Sequence, residues 1–145
     1  MKLEVPHNHP PPSMEDIQRI HQSTVLMDGF LYFHRVPHPD ASTVMYASQY
    51  IISVLNEHNI SRIVLDFTDR DLVEHKLRRL MLKQISGTIM MMSDVAIVIE
   101  GKPFRKMIVD FFVRTYLRNQ DVDVTVWNHK DEAIEYMTKK AKLSS

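Results

Sequence analysis

The feature that most constrains this chain is a short apolar run that begins at Ile63 and ends at Phe67, between two long amphipathic segments. The run is rich in β-branched residues and too short for a helix, so it predicts a buried strand. Amphipathic segments on both sides are typical of a parallel sheet with helical crossovers. Open α/β sheets place their ligands at the carboxyl ends of the strands. The polar residues at that end are Thr68, Asp69, Arg70 and Asp71.

The segments before this strand predict a hairpin and a helix. Asp28-Gly29 separates two β-type runs, which favours a hairpin turn in which both residues have a positive φ. Apolar residues at helical spacing then predict a helix over residues 41–57. Asp40 is its expected N-cap, and Asn59 is expected to end it in the left-handed conformation.

The central strand is predicted over residues 63–68, and the segments after it continue to alternate between helix and strand. The predicted elements are a helix over 71–92, a strand over 95–99, a helix over 103–115, a strand nearer the sheet edge over 122–127, and a last helix capped by Asn128. The second helix has a weak point at Ser86-Gly87, where it could end instead, because glycine costs about 1 kcal/mol relative to alanine.

Composition bounds the class of protein. The 145 residues include eighteen basic and eighteen acidic side chains, so the zero net charge argues against a nucleic-acid partner. The absence of cysteine excludes disulfides, thiolate metal sites and cysteine nucleophiles. No apolar run approaches the ~20 residues of a transmembrane helix, and the first residues lack the apolar core of a secretion signal. We therefore expect a cytoplasmic protein.

A single α/β domain is expected over residues 23–145, after a flexible Pro- and His-rich lead-in over 1–22 with a short helical turn at Ser13.

The order of elements resembles that of STAS domains, and more narrowly that of the small stand-alone SpoIIAA-like proteins, over residues 23–142. The segments that carry the likeness are Asp28-Gly29-Phe30-Leu31-Tyr32, Ile63-Val64-Leu65-Asp66-Phe67, Asp94-Val95-Ala96-Ile97-Val98, Val124-Thr125-Val126-Trp127 and Asp131-Glu132-Ala133-Ile134. The resemblance implies a mostly parallel sheet of about five strands with an N-terminal hairpin and helices packed on it. It also implies a non-enzymatic regulatory or sensing module. The phosphorylated serine of the antagonists has no equivalent in residues 70–75, which leaves Thr68 as the nearest hydroxyl.

Cations at the start of the predicted helix at 103–115 suggest an anion site, because helix N-termini present free amides and a partial positive charge. The alternative is that these cations pair with nearby acidic side chains. The candidate residues for binding a ligand or partner are Thr68, Asp69, Arg70, Asp71, Gly101, Lys102, Arg105, Asn128 and His129. No metal site or cofactor is expected, because the acidic residues lack the spacing of a cation loop.

We therefore expect a non-enzymatic module that binds a protein partner or a small anionic ligand at the carboxyl ends of the strands, either as a monomer or as a homo-oligomer. Two alternatives stay open. One is a carrier or sensor of an apolar or lipid-like ligand, which would use the Met- and Phe-rich interior. The other is a small enzyme with Asp69, His129 and Lys102 in a polar cleft.

Overall fold

The computed structural model describes residues 11–36, 39–68, 75–99 and 121–143. Within these ranges the helices are α1 (Met14–Ser23), α2 (Ala41–Glu57), α3 (His75–Ile89) and α4 (Lys130–Leu143). The strands are β1 (Thr24–Leu26), β2 (Leu31–His34), β3 (Arg62–Asp66), β4 (Asp94–Val98) and β5 (Asp123–Trp127). The helix predicted at 103–115 and the start of the helix predicted from Asp71 fall outside these ranges.

The strands form one sheet in the order β1-β2-β3-β4-β5. β1 is antiparallel to β2, and the remaining pairs are parallel. Val64 at the middle of β3 lies opposite Tyr32 of β2 and Ala96 of β4, which places the central strand of the sequence prediction at the centre of the sheet. This order confirms the α/β class and the N-terminal hairpin, and among the described strands it places β5 at an edge of the sheet, as predicted.

Helices cover both faces of this sheet. Side chains alternate between the two faces along β3 and β4, and nearly all of them are buried, as expected for strands at the centre of a parallel sheet. One face packs against α2 and α3 through Ile63, Leu65, Val95 and Ile97. The opposite face packs against Ala133 and Met137 of α4 through Val64, Ala96 and Val98. None of the described helices is both long and apolar enough to cross a membrane.

The hairpin turn differs from the predicted one. Gly29 has a φ of 89°, but Asp28 has no positive φ, so this is not the type I′ turn that requires both. The Met27 N–H donates to the Phe30 carbonyl at 2.9 Å, so the turn is closed with Gly29 as its one left-handed residue. A Cβ on Gly29 would also lie 2.8 Å from Cβ of Ala141 in α4. Glycine is therefore required both by the backbone and by the packing of α4.

Local signals define both ends of α2, as predicted. Oδ1 of Asp40 accepts hydrogen bonds from the backbone N–H of Thr43 at 2.8 Å and from its hydroxyl at 2.7 Å. At the other end Asn59 has a φ of 54°, and the Ile60 N–H donates to the Leu55 carbonyl at 2.9 Å. This pattern is a Schellman motif, which satisfies the last carbonyls of the helix.

α3 continues through Ser86-Gly87 and ends at Ile89, so the alternative of an earlier end is wrong. Ile85 and Ile89, on either side of the glycine, are both buried against the sheet. Burying one such side chain contributes about 1.5–3 kcal/mol, which exceeds the glycine penalty of about 1 kcal/mol. The helix ends before Met92, its predicted last residue, and residues 90–91 form a turn.

The segment directly before β1, Met14–Ser23, forms a helix of ten residues. Oγ of Ser13 accepts the Asp16 N–H at 3.1 Å and caps α1, at the place where the sequence predicts a helical turn. Ile20 is fully buried in the same cluster as α2 and α3, and the His21 ring stacks on Tyr50 at 4.2 Å. Residues 14–22, which the sequence assigns to the lead-in, thus belong to a helix that contributes to the core.

Candidate functional site

A polar cleft of about 260 Å³ lies at the carboxyl ends of β2 and β3, against the start of α4. Its described lining is His34, Asp66, Thr68, His129, Lys130 and Asp131, and we refer to it as the strand-end cleft. His34 and Asp66 are the last residues of β2 and β3, and they are neighbours in the register of the two strands. The chain enters α4 two residues after the end of β5, which brings three separate segments to one place.

Asp66 is fully buried, and both of its carboxylate oxygens accept hydrogen bonds. Oδ1 accepts the backbone N–H of Thr68 at 2.8 Å, and Oδ2 accepts the hydroxyl of Tyr32. A buried carboxylate is tolerated only when it is satisfied in this way. Asp66 therefore connects Thr68 to Tyr32 of β2 at the end of β3.

Partial burial of Tyr32 raises the pKa of its hydroxyl well above the usual range, and the hydrogen bond to Asp66 and the charges of Asp66 and Asp131 raise it further. The hydroxyl is protonated at neutral pH, as an ordinary tyrosine is, and it donates to Asp66. Together, Tyr32 and Asp66 form a fixed polar pair beneath the cleft.

The wall opposite this pair is the first turn of α4. The Ala133 N–H donates to the His129 carbonyl at 3.3 Å, so the helix begins directly after His129. The first N–H groups of a helix have no acceptor within the helix and carry a partial positive charge, to which Lys130 adds a full one. Asp131 and Glu132 in the same turn offset part of that charge. The wall thus presents donors and acceptors side by side.

Three of the candidate residues from the sequence are described. Thr68 and His129 line the same cleft, while Asn128 is exposed beside it and is not part of the lining. Asp69, Arg70, Asp71, Gly101, Lys102 and Arg105 lie outside the described residues, and so do two of the three residues of the enzyme hypothesis. The described part of the chain contains no group of three or more histidine or acidic side chains placed to hold a metal ion.

Sequence reasoning missed four residues of the lining, namely His34, Asp66, Lys130 and Asp131. The signal for two of them was present, because the last residues of neighbouring parallel strands meet at one edge. Lys130 and Asp131 lie two and three residues after the predicted Asn128 cap, and only the packing of α4 shows where their side chains lie.

A second charged cluster lies at the opposite, amino-terminal edge of the sheet. Asp94 is buried and accepts from Nε of Arg62 at 3.1 Å, and Nζ of Lys140 in α4 lies 3.4 Å from it. Lys140 also lies 3.1 Å from Asp123. The hydrogen bond to Asp123 and the charge of Asp94 raise the pKa of Lys140. These contacts connect α4 to three strands and have a structural role.

No known protein-family model matches this chain, and no curated protein matches it. The resemblance to STAS domains therefore remains a prediction from the order of elements and the segments that carry it.

Proposed function

We propose that this protein is a non-enzymatic, STAS-like cytoplasmic module that senses a small anionic ligand in the strand-end cleft. The observation that carries the proposal is the cleft itself, in which Thr68, His34 and the start of α4 converge from three segments. Clefts at the carboxyl ends of the strands are where open α/β sheets bind ligands. The cleft volume of about 260 Å³ has room for a ligand of the size of a small phosphate ester.

The chemistry of the cleft supports recognition rather than turnover. Asp66 is the most buried acid beside the cleft, but its two oxygens already accept from Tyr32 and Thr68. A general base must be able to reach and accept a proton from the substrate. Asp66 instead holds the wall of the cleft in place, as expected of a residue that positions a binding site.

The side chains on the α4 wall indicate the kind of ligand. Lys130 and the partial positive charge of the helix start attract an anionic group. Asp131 and the two imidazoles of His34 and His129 offer acceptors for hydroxyl groups. A phosphate ester of a polyol has both an anionic group and hydroxyl groups, so it is the ligand class that these cleft side chains favour.

The proposal is tested by following backbone amides by NMR while inorganic phosphate, and separately glycerol 3-phosphate, is added. We expect saturable shifts at Thr68, His129, Lys130 and Asp131, and tighter binding of glycerol 3-phosphate because it adds hydroxyl groups. Amides at Asp94 and Asp123, at the opposite edge of the sheet, serve as the internal control and should not move. Unchanged cleft amides at millimolar concentrations of both compounds would contradict the proposal.

A further inference from the structure

A row of exposed residues runs along the outward side of α3, and we refer to it as the α3 stripe. Its members recur every three or four residues, which places them on one side of a helix, and they are Lys76, Arg79, Lys83, Gly87 and Met90. Met90 continues the row beyond the end of α3, because its N–H donates to the Ser86 carbonyl at 3.1 Å, four residues back. At a rise of 1.5 Å per residue the α3 stripe is about 21 Å long.

The α3 stripe lies opposite the side of α3 that packs on the sheet. Met81, Ile85 and Ile89 are buried in the core between α3, α2 and the sheet. With 3.6 residues per turn, Ile85 points about 160° away from Lys83. The apolar side of α3 is thus occupied by the core, and the stripe is the side that remains for contacts outside the chain.

Three members of the stripe are cations without an acidic partner in the described part of the chain. None of the ion pairs between described residues includes Lys76, Arg79 or Lys83. The sequence from His75 to Ser93 contains no Asp or Glu, although the whole chain has as many acidic as basic residues. Like charges three and four residues apart on a helix repel each other and destabilise it. An anionic partner would remove this repulsion.

Gly87 leaves a gap between the charged and the apolar parts of the stripe. It has no positive φ, and a Cβ added to it would meet nothing within 4 Å. Neither its backbone conformation nor the packing around it therefore requires glycine. The missing side chain does allow the backbone of another molecule to approach closely. Beyond this gap Met90 is 69% exposed and Met91 is 44% exposed, and methionine adapts its shape to an apolar partner.

The order of cations, gap and methionines indicates the kind of partner. Carboxylates pair well with cations, and a guanidinium such as that of Arg79 binds them through two parallel hydrogen bonds. A helix with acidic residues at one end and apolar residues at the other complements the whole length of the stripe. A membrane fits less well, because the apolar side of α3 is buried and only Met90 and Met91 could enter the lipid. A nucleic acid fits less well, because the chain has no net positive charge.

We propose that the α3 stripe docks an acidic amphipathic helix of a partner protein. Its carboxylates pair with Lys76, Arg79 and Lys83, its backbone passes over Gly87, and its apolar side chains contact Met90. No residue of the stripe lines the strand-end cleft, so this docking does not depend on the function proposed for the cleft. Salt weakens the docking, because exposed charges are screened.

The test uses a synthetic peptide helix that carries three glutamates at the spacing of the three cations and two leucines beyond them. A second peptide has glutamines in place of the glutamates. Each is added to the full-length protein at low salt while backbone amides are followed by NMR. We expect saturable shifts at Arg79, Lys83 and Gly87, and at least about tenfold tighter binding of the acidic peptide.

Two results of this titration would overturn the proposal. One is equal binding of the two peptides, or no shift at millimolar concentrations of either. The other is a set of shifts confined to Thr68 and His129, which would place the acidic peptide in the strand-end cleft.

Three variants decide whether the acidic peptide lies on the stripe. Lys83→Glu should weaken its binding at least about tenfold, whereas Lys139→Glu, the same change at an exposed position of α4, should leave binding nearly unchanged. Gly87→Gln fills the gap and should also weaken binding, and the open space around Gly87 allows this variant to fold. Equal losses in the two charge variants, or unchanged binding in Gly87→Gln, would contradict docking on the stripe.

Vesicles of phosphatidylcholine with phosphatidylserine provide the last comparison. Docking of a protein helix predicts that the vesicles do not retain the wild-type protein in a sedimentation assay. Retention that Lys83→Glu abolishes would assign the stripe to an anionic membrane and overturn the proposal.

Discussion

The hydrogen bond from the Tyr32 hydroxyl to the buried carboxylate of Asp66 makes a strong and specific prediction. The change is Tyr32→Phe, which removes the donor and leaves Oδ2 of a fully buried carboxylate without it. Hydrogen bonds to charged groups contribute about 1.5–3 kcal/mol, and the partial burial of Tyr32 favours the lower part of that range. We therefore expect Tyr32→Phe to lower the free energy of unfolding by about 2 kcal/mol.

A double-mutant cycle assigns this loss to the hydrogen bond. Asp66→Asn keeps one acceptor oxygen, so it can satisfy only one of its two donors, Tyr32 and the Thr68 N–H. Combined with Tyr32→Phe, it should cost less than the sum of the two single changes, with a coupling of about 1–2 kcal/mol. Urea titrations followed by circular dichroism measure all four free energies of unfolding.

The matched control is Tyr136→Phe. The Tyr136 hydroxyl donates to Asp123 at 3.3 Å in an exposed position, so its removal should change the stability by less than about 0.5 kcal/mol. Thermal melts give an independent readout, because about 1 kcal/mol corresponds to about 2–4 °C in chains near this size. The reasoning would be refuted if Tyr32→Phe cost no more than Tyr136→Phe, or if it showed no coupling to Asp66.

Two further predictions concern the fold. A Cβ on Gly87 meets nothing within 4 Å, so Gly87→Ala should stabilise the protein by about 1 kcal/mol. Gly29→Ala should destabilise it, because Gly29 has a positive φ and an added Cβ would clash with Ala141. Calorimetry of both variants measures their melting temperatures, and a shift of both in the same direction would contradict this prediction. Burial alone would raise the pKa of Asp40, but the hydrogen bonds from Thr43 outweigh it and the pKa is lowered. Because folding favours the charged carboxylate, Asp40 stabilises the protein at pH values above its unfolded pKa of 3.8. This stabilisation is lost as the pH falls below 3.8 and through the lower pKa of the folded state. Asp40→Ala should therefore cost about 1 kcal/mol at neutral pH and less below that value, and a loss independent of pH in urea titrations would argue against the cap.

Local chemistry made much of the fold predictable. Asp40 and Asn59 act on the backbone within three or four residues of themselves, so the ends of α2 could be read from the sequence. The apolar runs of β3 and β4 were recognisable because both faces of these strands are covered, which requires nearly continuous apolar residues.

Contacts between distant segments explain what the sequence did not show. The helix continues past Gly87 because Ile85 and Ile89 pack on the sheet, and the sheet is not visible in a local pattern. Gly29 faces Ala141, more than a hundred residues away, and only the docking of α4 reveals that contact.

The same division applies to the candidate site. Thr68 and His129 each lie two residues after the end of a strand, so their place at one edge of the sheet could be inferred from the topology. The positions of the Lys130 and Asp131 side chains depend on where α4 begins and on which of its faces packs against β3.

The most direct test of the central claim is the affinity for glycerol 3-phosphate, measured by calorimetry in two charge-reversal variants of α4. Lys130→Glu places a negative charge in the strand-end cleft, whereas Lys139→Glu makes the same change at an exposed position outside it, where the lysine lies 3.2 Å from Glu135. Because both variants change the net charge equally, a general electrostatic effect would weaken binding equally in both. Binding in the cleft predicts at least about a tenfold loss in Lys130→Glu and little change in Lys139→Glu. Equal losses in the two variants, or no loss in Lys130→Glu, would contradict the account.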